Sequence, residues 1–208
     1  MTQNAPIDFY FDFSSPYGYF AAAKLDFVVA PYDRAVIWHP ILLGPVMEKT
    51  GNRPLANQPI KDEYSEYDWA RLARFMDLPW CTSGAMPENF PMSTVRTARA
   101  FYAIEESSGQ DVAKLFAMTA YTAYFGEGRD INDVSIIADL AGALEGVNAD
   151  ELVQAIETQA IKDRLRSEVD DSVEKGVFGS PFVILDGEKF WGSDRFWMIK
   201  RWLKSGGW

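Results

Sequence analysis

Two serines and a proline, at the junction between two predicted elements, are the residues best suited to chemistry. Residues 7–13 are rich in aromatic side chains and alternate with a period of two, which predicts a strand. Ser14 and Ser15 follow as possible caps, and Pro16 favours the first turn of a helix. A hydroxyl at this junction can either cap the helix or stabilise an anion beside the free N–H groups of its first turn.

The anion that best fits this position is the thiolate of a bound ligand. A thiol with a pKa of about 8.5 is mostly protonated at neutral pH, and a hydroxyl donor at a helix N-terminus would lower that pKa. We therefore predict that Ser15 activates an external sulfur. The single cysteine, Cys81, lies far away in sequence and is interpreted as a small buried hydrophobic residue.

The segment Ser15-Pro16-Tyr17-Gly18 resembles the Cys-Pro-Tyr-Cys motif of redox proteins with a thioredoxin fold, but both sulfurs are missing. Thiol–disulfide exchange needs a nucleophilic thiolate and a second, resolving thiol. Ser15 and Gly18 therefore exclude a redox dithiol at this motif. One cysteine also allows no intrachain disulfide, which fits a reducing cytoplasm.

A second motif is the glycine-flanked loop 176–183, which leads through Pro181 into a predicted strand. In thioredoxin folds the proline at this place is cis, and Ser180 would then turn its backbone N–H and C=O toward an extended peptide. The alternative is an ordinary proline at the start of a strand. The presence of the Ser-Pro-Tyr-Gly segment in the same chain favours the functional interpretation.

The third motif is the segment 190–195, where a strand runs into a helix. Ser193 and Asp194 are natural N-caps for that helix. They could equally bind the ends of a small peptide, with helix N–H groups taking its carboxylate and Asp194 taking its ammonium group. Both interpretations stay open at this point.

A long stretch with helical periodicity separates these motifs. Its apolar stripes are expected to face a core, and one of them consists of Val112, Leu115, Phe116 and Thr119. Strand character is found outside this stretch, at 35–41, 182–185 and 189–191, and a final helix is predicted at 194–203.

The order of elements predicts an α/β protein with a thioredoxin-like fold and a large all-helical insertion. Residues 1–44 and 176–208 would form the thioredoxin-like domain. Residues 45–175 would form the helical insertion domain.

The three motifs, together with Leu42-Leu43-Gly44-Pro45 and Thr50-Gly51-Asn52-Arg53-Pro54, make the chain similar to the 2-hydroxychromene-2-carboxylate isomerase family. This family is related to kappa-class glutathione transferases, and the resemblance extends over nearly the whole chain. It implies glutathione as cofactor, a homodimer, and a small aromatic carboxylate as substrate. It also implies reversible addition of a thiolate to the substrate, rotation about the resulting single bond, and elimination, as part of aromatic hydrocarbon breakdown.

The resemblance implies roles for individual residues. Ser15 resembles the catalytic serine beside the glutathione sulfur, whereas Arg53 and Pro54 resemble residues that border the organic substrate. Arg53 would also stabilise the enolate-like charge that develops there. The implied cofactor-binding residues are Pro16, Tyr17, Asn52, Ser180, Pro181, Trp191, Gly192, Ser193 and Asp194.

The sequence departs from the family pattern at two places. Family members often have serine where this chain has Gly18, and we expect that difference to have little effect. The segment 78–87 differs more, and we expect it to reshape the substrate pocket.

Two other functions fit the same motifs. A glutathione transferase or peroxidase of the kappa type would use the same thiolate to conjugate or reduce an electrophile. A non-catalytic glutathione-binding protein would retain the cleft without turnover.

Composition and charge limit the possible partners. The 208 residues carry a formal net charge of -10, which disfavours nucleic acid as a partner. No segment has the continuous apolar length of a membrane span, and no leader is apparent, so we expect a cytoplasmic protein. His39 is interpreted as structural, and with one histidine and one cysteine we expect no metal site.

Overall fold

A computed structural model describes residues 5–81 and 90–208 of the chain. Four short strands form one mixed sheet in the order β2-β1-β3-β4. The central β1 pairs in parallel with β2 and antiparallel with β3, and β3 pairs antiparallel with β4. The strands are β1 (Ile7–Phe11), β2 (Val36–Pro40), β3 (Phe182–Leu185) and β4 (Glu188–Trp191).

Helix α1 (Pro16–Val29) connects the parallel strands β1 and β2, and a short 3-10 turn (Ala30–Tyr32) completes the connection. Nine of its residues are buried, because it lies between the sheet and other helices. Its aromatic residue Tyr19 stacks on Tyr121 and Phe125, with ring centroids 5.4 and 5.8 Å apart. The helix that begins at the Ser-Pro motif is therefore held rigidly by the core.

Every regular element described between β2 and β3 is helical, as predicted from the periodicity. Helix α5 runs into a π-helical turn (Thr122–Gly126), and a 3-10 turn (Leu55–Asn57) precedes α3. The helices are α2 (Leu43–Thr50), α3 (Lys61–Phe75), α4 (Val95–Ser108), α5 (Gln110–Tyr121), α6 (Val134–Gly142), α7 (Ala149–Ala155) and α8 (Gln159–Glu174).

The chain ends with α9 (Phe196–Ser205), which follows β4 and packs against α1. The predicted thioredoxin-like fold with a helical insertion is confirmed. The division into domains at residues 45 and 175 stays a prediction. In the described part of the chain, none of the helices has both the length and the apolar character that crossing a membrane requires.

One residue of a predicted core stripe is wrong, whereas its neighbours Phe116 and Val112 lie in or against the core as predicted. Leu115 was expected to face the core, but it is 60% exposed. The buried residues of α5 are Ala113, Phe116, Ala117, Ala120 and Tyr121. Three of these five are alanines, so small side chains are buried where the larger Leu115 is left at the surface.

His39 joins the sheet to α8, as expected of a structural residue. Its Nε2 lies 3.0 Å from Asp8 Oδ1 and its Nδ1 lies 3.2 Å from Glu168 Oε2. The imidazole also stacks on Tyr10, with ring centroids 4.7 Å apart. Burial lowers the pKa of His39, but the hydrogen bonds to Asp8 and Glu168 outweigh burial and raise it overall.

Candidate functional site

Ser15 caps α1 and also contacts the loop from the other end of the chain. Its Oγ accepts a hydrogen bond from the Gly18 N–H at 3.0 Å, and its hydroxyl donates to the Ser180 carbonyl at 3.1 Å. Pro16 occupies the first helical position, as predicted. Ser15 is only 6% exposed, so a ligand atom would reach its hydroxyl through a narrow opening.

The N-terminus of α1 has fewer available donors than the sequence suggested. Pro16 has no N–H, and the Gly18 and Tyr19 N–H groups both bond to Ser15. Within residues 5–81 and 90–208, no partner is found for the Tyr17 N–H. A single backbone N–H of the first turn therefore remains to receive an anion beside Ser15.

The side chain of Tyr17 is engaged away from this helix end. Its hydroxyl donates to Asp68 Oδ2 at 2.8 Å, and its ring packs against Trp69. Burial, followed by the neighbouring Asp68 carboxylate, raises the pKa of Tyr17 well above its ordinary value. Tyr17 is thus a neutral phenol that anchors α1 to α3.

The Ser180-Pro181 bond is cis, as predicted. The Ser180 carbonyl accepts from Ser15, and its Oγ accepts from the Asp12 N–H at 2.9 Å. No hydrogen bond from the Ser180 N–H is found in the described part of the chain. The structure therefore brings the first two motifs together, although Ser15 and Ser180 are 165 positions apart in the sequence.

Gly18 lies in a crowded place, which contradicts the expectation that its identity has little effect. A Cβ at this position would lie 2.7 Å from Tyr121 Oη and 2.9 Å from Ser180 Oγ. Such distances are below normal van der Waals contact for a carbon atom. A side chain here would have to displace one of these two hydroxyls.

The third motif lies next to the second through the backbone. The Gly192 N–H donates to the Pro181 carbonyl at 3.1 Å. The Trp191 indole covers Gly179 and packs edge-on against Phe178, with ring centroids 5.0 Å apart. Trp191 nevertheless remains 53% exposed, so one face of its indole is available to a ligand.

Of the two interpretations left open for Ser193 and Asp194, capping of the final helix is wrong. Helix α9 begins at Phe196, and its N-cap residue Arg195 makes no side-chain capping bond. Gly192 has a φ of +109° and begins a turn that delays the helix, and the Asp194 carboxylate folds back toward Gly192 and pairs with Arg195. The Asp194 side chain is 71% exposed, so its carboxylate is accessible to a ligand.

Among the described residues, no hydrogen bond joins the segment of Asn52, Arg53 and Pro54 to Ser15. This segment follows the C-terminus of α2, about 12 Å along that helix from its first residue. Asn52 and Arg53 line an open depression of about 370 Å³, whose other lining residues are Gly51, Asn57, Gln58 and Pro59. The segment is held by a bond from Gln58 Nε2 to the Arg53 carbonyl at 2.8 Å, and the Arg53 side chain is left exposed.

The sequence analysis missed Asp12, which lies directly behind Ser15. It is 3% exposed, and its carboxylate accepts from the Thr94 hydroxyl at 2.8 Å. Tyr121, which donates to the Asp12 carbonyl at 2.9 Å, was also missed. The available signal was an acidic residue between two phenylalanines at the end of a buried strand.

Cys81 is half-buried, and burial raises the pKa of its thiol. Its N–H donates to the Phe125 carbonyl at 2.7 Å, which attaches it to the core side of the π-helical turn. The rest of the segment expected to reshape the pocket, residues 82–87, lies outside the described residues. Within the described ranges no group of three or more metal-ligating side chains is found.

Comparison with known proteins identifies the class to which this fold and site belong. The model of the DSBA-like thioredoxin domain matches residues 6–204, and the chain belongs to that family. Within it, the chain is 31% identical to a 2-hydroxychromene-2-carboxylate isomerase of Sphingobium xenophagum over 201 residues, covering 95% of this chain and 97% of that protein. The resemblance inferred from the motifs is thereby confirmed.

Two further comparisons agree with this assignment. A solved structure of a 2-hydroxychromene-2-carboxylate isomerase superposes with a TM-score of 0.84 at 25% identity, covering 96% of this chain and 95% of that one. A kappa 1 glutathione S-transferase of Caenorhabditis elegans is 25% identical over 93% of this chain and 88% of its own length.

Proposed function

We propose that this protein is a glutathione-dependent isomerase that interconverts 2-hydroxychromene-2-carboxylate and trans-o-hydroxybenzylidenepyruvate in the breakdown of aromatic compounds. The observation that carries this proposal is the Ser15 hydroxyl at the N-terminus of α1, in contact with Ser180. The motif holds no cysteine of its own, so a sulfur acting there must come from a ligand. Similarity to named isomerases over nearly the full length supports the reaction type.

The backbone around Ser15 fits the tripeptide glutathione. The Ser180 N–H, for which the described residues offer no partner, and the second lone pair of its carbonyl can pair with an extended peptide. The Tyr17 N–H can receive the sulfur as an anion. At the other end of the peptide, Trp191, Gly192, Ser193 and Asp194 offer an exposed indole face and an accessible carboxylate for the glutamyl ammonium, with Asn52 as a further contact.

Ser15 has to change its hydrogen bond in order to act. Its hydroxyl donates to the Ser180 carbonyl, and a rotation about χ1 would direct the same hydrogen to a sulfur. When bound, glutathione supplies a thiolate that adds reversibly to an unsaturated carbon of the substrate, so that rotation can occur before it leaves. Ser15 and the helix end would stabilise that thiolate before addition and after elimination.

Arg53 is our proposed donor to the substrate, with Pro54 as an apolar neighbour. The protein has a net charge of -10, so an anionic aromatic carboxylate needs a local cation to bind. The Arg53 side chain is exposed and lines the depression that follows the C-terminus of α2, where it can turn toward a carboxylate or an enolate oxygen.

We further propose that the protein is a cytoplasmic homodimer. The N-cap residue of α3, Ile60, and the α3 residues Tyr64 and Tyr67 follow one another at helical spacing and are 87%, 61% and 67% exposed. Exposed apolar side chains grouped in this way support an interface between subunits. Sedimentation equilibrium would give the mass directly.

A kappa-type glutathione transferase or peroxidase is the second candidate, and the similarity to a kappa 1 transferase supports it. The two functions differ in the fate of glutathione. Isomerisation returns all of it, whereas conjugation or peroxide reduction consumes it. A non-catalytic binding protein would bind glutathione and turn over none of these substrates.

The decisive experiment compares the wild type with Ser15→Ala in the isomerisation of trans-o-hydroxybenzylidenepyruvate, with free thiol measured before and after. We expect the wild type to isomerise the substrate with full recovery of glutathione. Loss of one donor to the sulfur should lower kcat/KM about 100-fold and raise the pKa of bound glutathione toward its free value.

Ser14→Ala is the matched control, because it removes the neighbouring hydroxyl, which bonds neither Gly18 nor Ser180. We expect the Ser14 variant to retain most of the activity. Equal losses in both variants, or an unchanged pKa of bound glutathione in Ser15→Ala, would remove Ser15 from the mechanism. Consumption of glutathione by the wild type would favour the transferase.

A further inference from the structure

Asp12 occupies the place where the two ends of the chain and the helical region meet. It follows β1 directly, and its main chain and side chain together bond to five other parts of the protein. The partners are the Ser14–Ser15 turn, the first residue of α2, the N-cap of α4, the last residue of α5 and the Ser180 loop. We infer that Asp12 is a positioning residue, which fixes Ser15 and Ser180 relative to each other for the sulfur that binds between them.

The side chain of Asp12 is held by three donors. Oδ1 accepts from the Ser14 N–H and from the Thr94 hydroxyl, each at 2.8 Å. Oδ2 accepts from the Leu43 N–H at 2.6 Å. The bond to Ser14 closes the turn that places Ser15 at the N-cap of α1, and the bonds to Leu43 and Thr94 fix that turn against two helices.

The main chain of Asp12 completes the arrangement. Its N–H donates to Ser180 Oγ at 2.9 Å, which orients the residue whose carbonyl accepts from Ser15. Its carbonyl accepts from the Ser15 N–H at 2.9 Å and from Tyr121 Oη at 2.9 Å. Both partners of the Ser15–Ser180 contact are therefore bonded to this one residue.

The bonding pattern requires a carboxylate and not an amide. Each oxygen of Asp12 accepts from a backbone N–H, one from Ser14 and the other from Leu43. An asparagine could accept from only one of them, and its NH2 group would face the other N–H in a buried place. One N–H would then lose its partner, which costs more than the bond itself contributes.

No cationic side chain bonds to Asp12 among the described residues. Burial raises the pKa of Asp12, and the hydrogen bonds from Leu43, Ser14 and Thr94 oppose that rise. When ionised, the carboxylate would repel a thiolate bound nearby, so its charge alone would raise the pKa of a bound thiol. Positioning and charge therefore predict opposite effects of removing the carboxylate.

The role of Asp12 in positioning Ser15 for a sulfur rests on the proposed function, but part of its test does not depend on glutathione. In the free protein, the amide resonances of Ser15 and Gly18 report whether Ser15 still caps α1, because the Gly18 N–H bonds to Ser15 Oγ. We expect both resonances to shift in Asp12→Asn and in Thr94→Val, and to return close to their wild-type positions in Thr94→Ser, which restores the hydroxyl. Unchanged resonances in both of the first two variants would overturn the inference.

In the glutathione complex, we expect Asp12→Asn to lower kcat about 100-fold and to raise the pKa of bound glutathione, since Ser15 is displaced from the sulfur. Thr94→Val should lower kcat about tenfold, and Thr94→Ser should recover most of it. A lower thiol pKa in Asp12→Asn would show that Asp12 acts through its charge, and it would overturn the positioning role. If Asp12→Asn does not fold, the comparison of Thr94→Val with Thr94→Ser tests the same positioning role.

These outcomes can be separated from failure of the proposed function. If the wild type binds no glutathione, that function fails, while the amide resonances still test whether Asp12 holds Ser15. If the wild type binds and isomerises normally but the Thr94 variants are indistinguishable from it in kcat, in thiol pKa and in amide shifts, the positioning role is wrong.

Discussion

Asp8 lies on β1 and Asp12 follows that strand directly, four residues later, and the surroundings of the two carboxylates differ completely. The Asp8 side chain is 32% exposed and pairs with the His39 imidazole. Asp12 is 3% exposed and is held by neutral donors, namely two backbone N–H groups and a hydroxyl. Charged pairs are found where water can still reach the carboxylate, and fixed dipoles are found where it cannot.

This difference has an energetic reason. An ion pair in a dry interior must overcome the desolvation of two charges, whereas backbone donors are already fixed by the helices to which they belong. Among the described residues, Asp12 therefore brings no cationic side chain to the turn that precedes α1, and its bonds instead hold Ser15 in place. The end of β1 with Asp8 is suited to stability, and the end with Asp12 is suited to precise positioning.

The largest effect on stability is expected from Gly18→Ala, beside Asp12. Its new methyl group would lie 2.7 Å from Tyr121 Oη and would push that hydroxyl away from the Asp12 carbonyl. Overpacking of this kind costs about 1–3 kcal/mol, which urea denaturation would measure as a lower midpoint with an unchanged slope.

Gly44→Ala is the matched control for this substitution. A Cβ there meets nothing within 4 Å, and the position is helical, so the free energy of unfolding should stay equal or rise by about 0.5–1 kcal/mol. In a Tyr121→Phe background the cost of Gly18→Ala should shrink, since the obstructing hydroxyl is gone. An equal cost in both backgrounds would show that Tyr121 is not the obstacle.

A smaller, pH-dependent effect is expected from His39→Gln, beside Asp8. The pKa of His39 is raised in the folded protein, so its contribution is fully present below about pH 6.5 and is lost as pH rises through the folded pKa. The hydrogen bond from His39 lowers the pKa of Glu168, and this effect exceeds the opposing effect of burial. The contribution of Glu168 to stability is therefore fully present above its unfolded pKa of 4.5 and is lost as pH falls through the folded pKa.

The window of greatest stabilisation therefore lies between about pH 4.5 and 6.5, where the variant should be less stable than the wild type by about 1 kcal/mol. The difference should decline at alkaline pH. His39 is the only histidine, so its NMR titration is unambiguous and should have a midpoint above 6.5. A midpoint below 6.5 would contradict the ion pairs with Asp8 and Glu168.

The smallest effect is expected from Lys175→Met, whose side chain contacts Tyr10 on β1. Lys175 Nζ donates a hydrogen bond to Tyr10 Oη at 3.0 Å, and Lys175 is exposed. Exposed polar contacts of this kind contribute a few tenths of a kcal/mol, and added salt weakens the charged part. Chemical denaturation with urea at low and high salt would measure this, with Lys204→Met on α9 as the exposed control.

The sequence predicted most of the fold because its signals are local. The alternating aromatic residues, the Ser-Pro start of α1 and the strand character at 182–185 and 189–191 each depend on neighbouring residues, and all are confirmed. The proximity of Ser15 and Ser180 came from pairing two motifs, and the contact at 3.1 Å agrees with it.

The errors concern properties that neighbouring residues do not determine. The exposure of Leu115 depends on which face of α5 packs against the rest of the fold, and that face contains three alanines. Asp12 looked like an ordinary strand residue, because its partners Thr94 and Tyr121 are far away in sequence. Ser193 and Asp194 had the right composition for caps, but the turn at Gly192 delays α9 until Phe196.

The order of the strands has a consequence for synthesis on the ribosome. Strand β1 can pair with β2 after about 40 residues, but its other edge waits for β3, which is made almost 150 residues later. Until then an aromatic strand keeps one unpaired edge, which other chains could join. The Ser15–Ser180 contact forms in the same late step, so a nascent chain acquires a shielded sheet and its candidate functional site at the same moment.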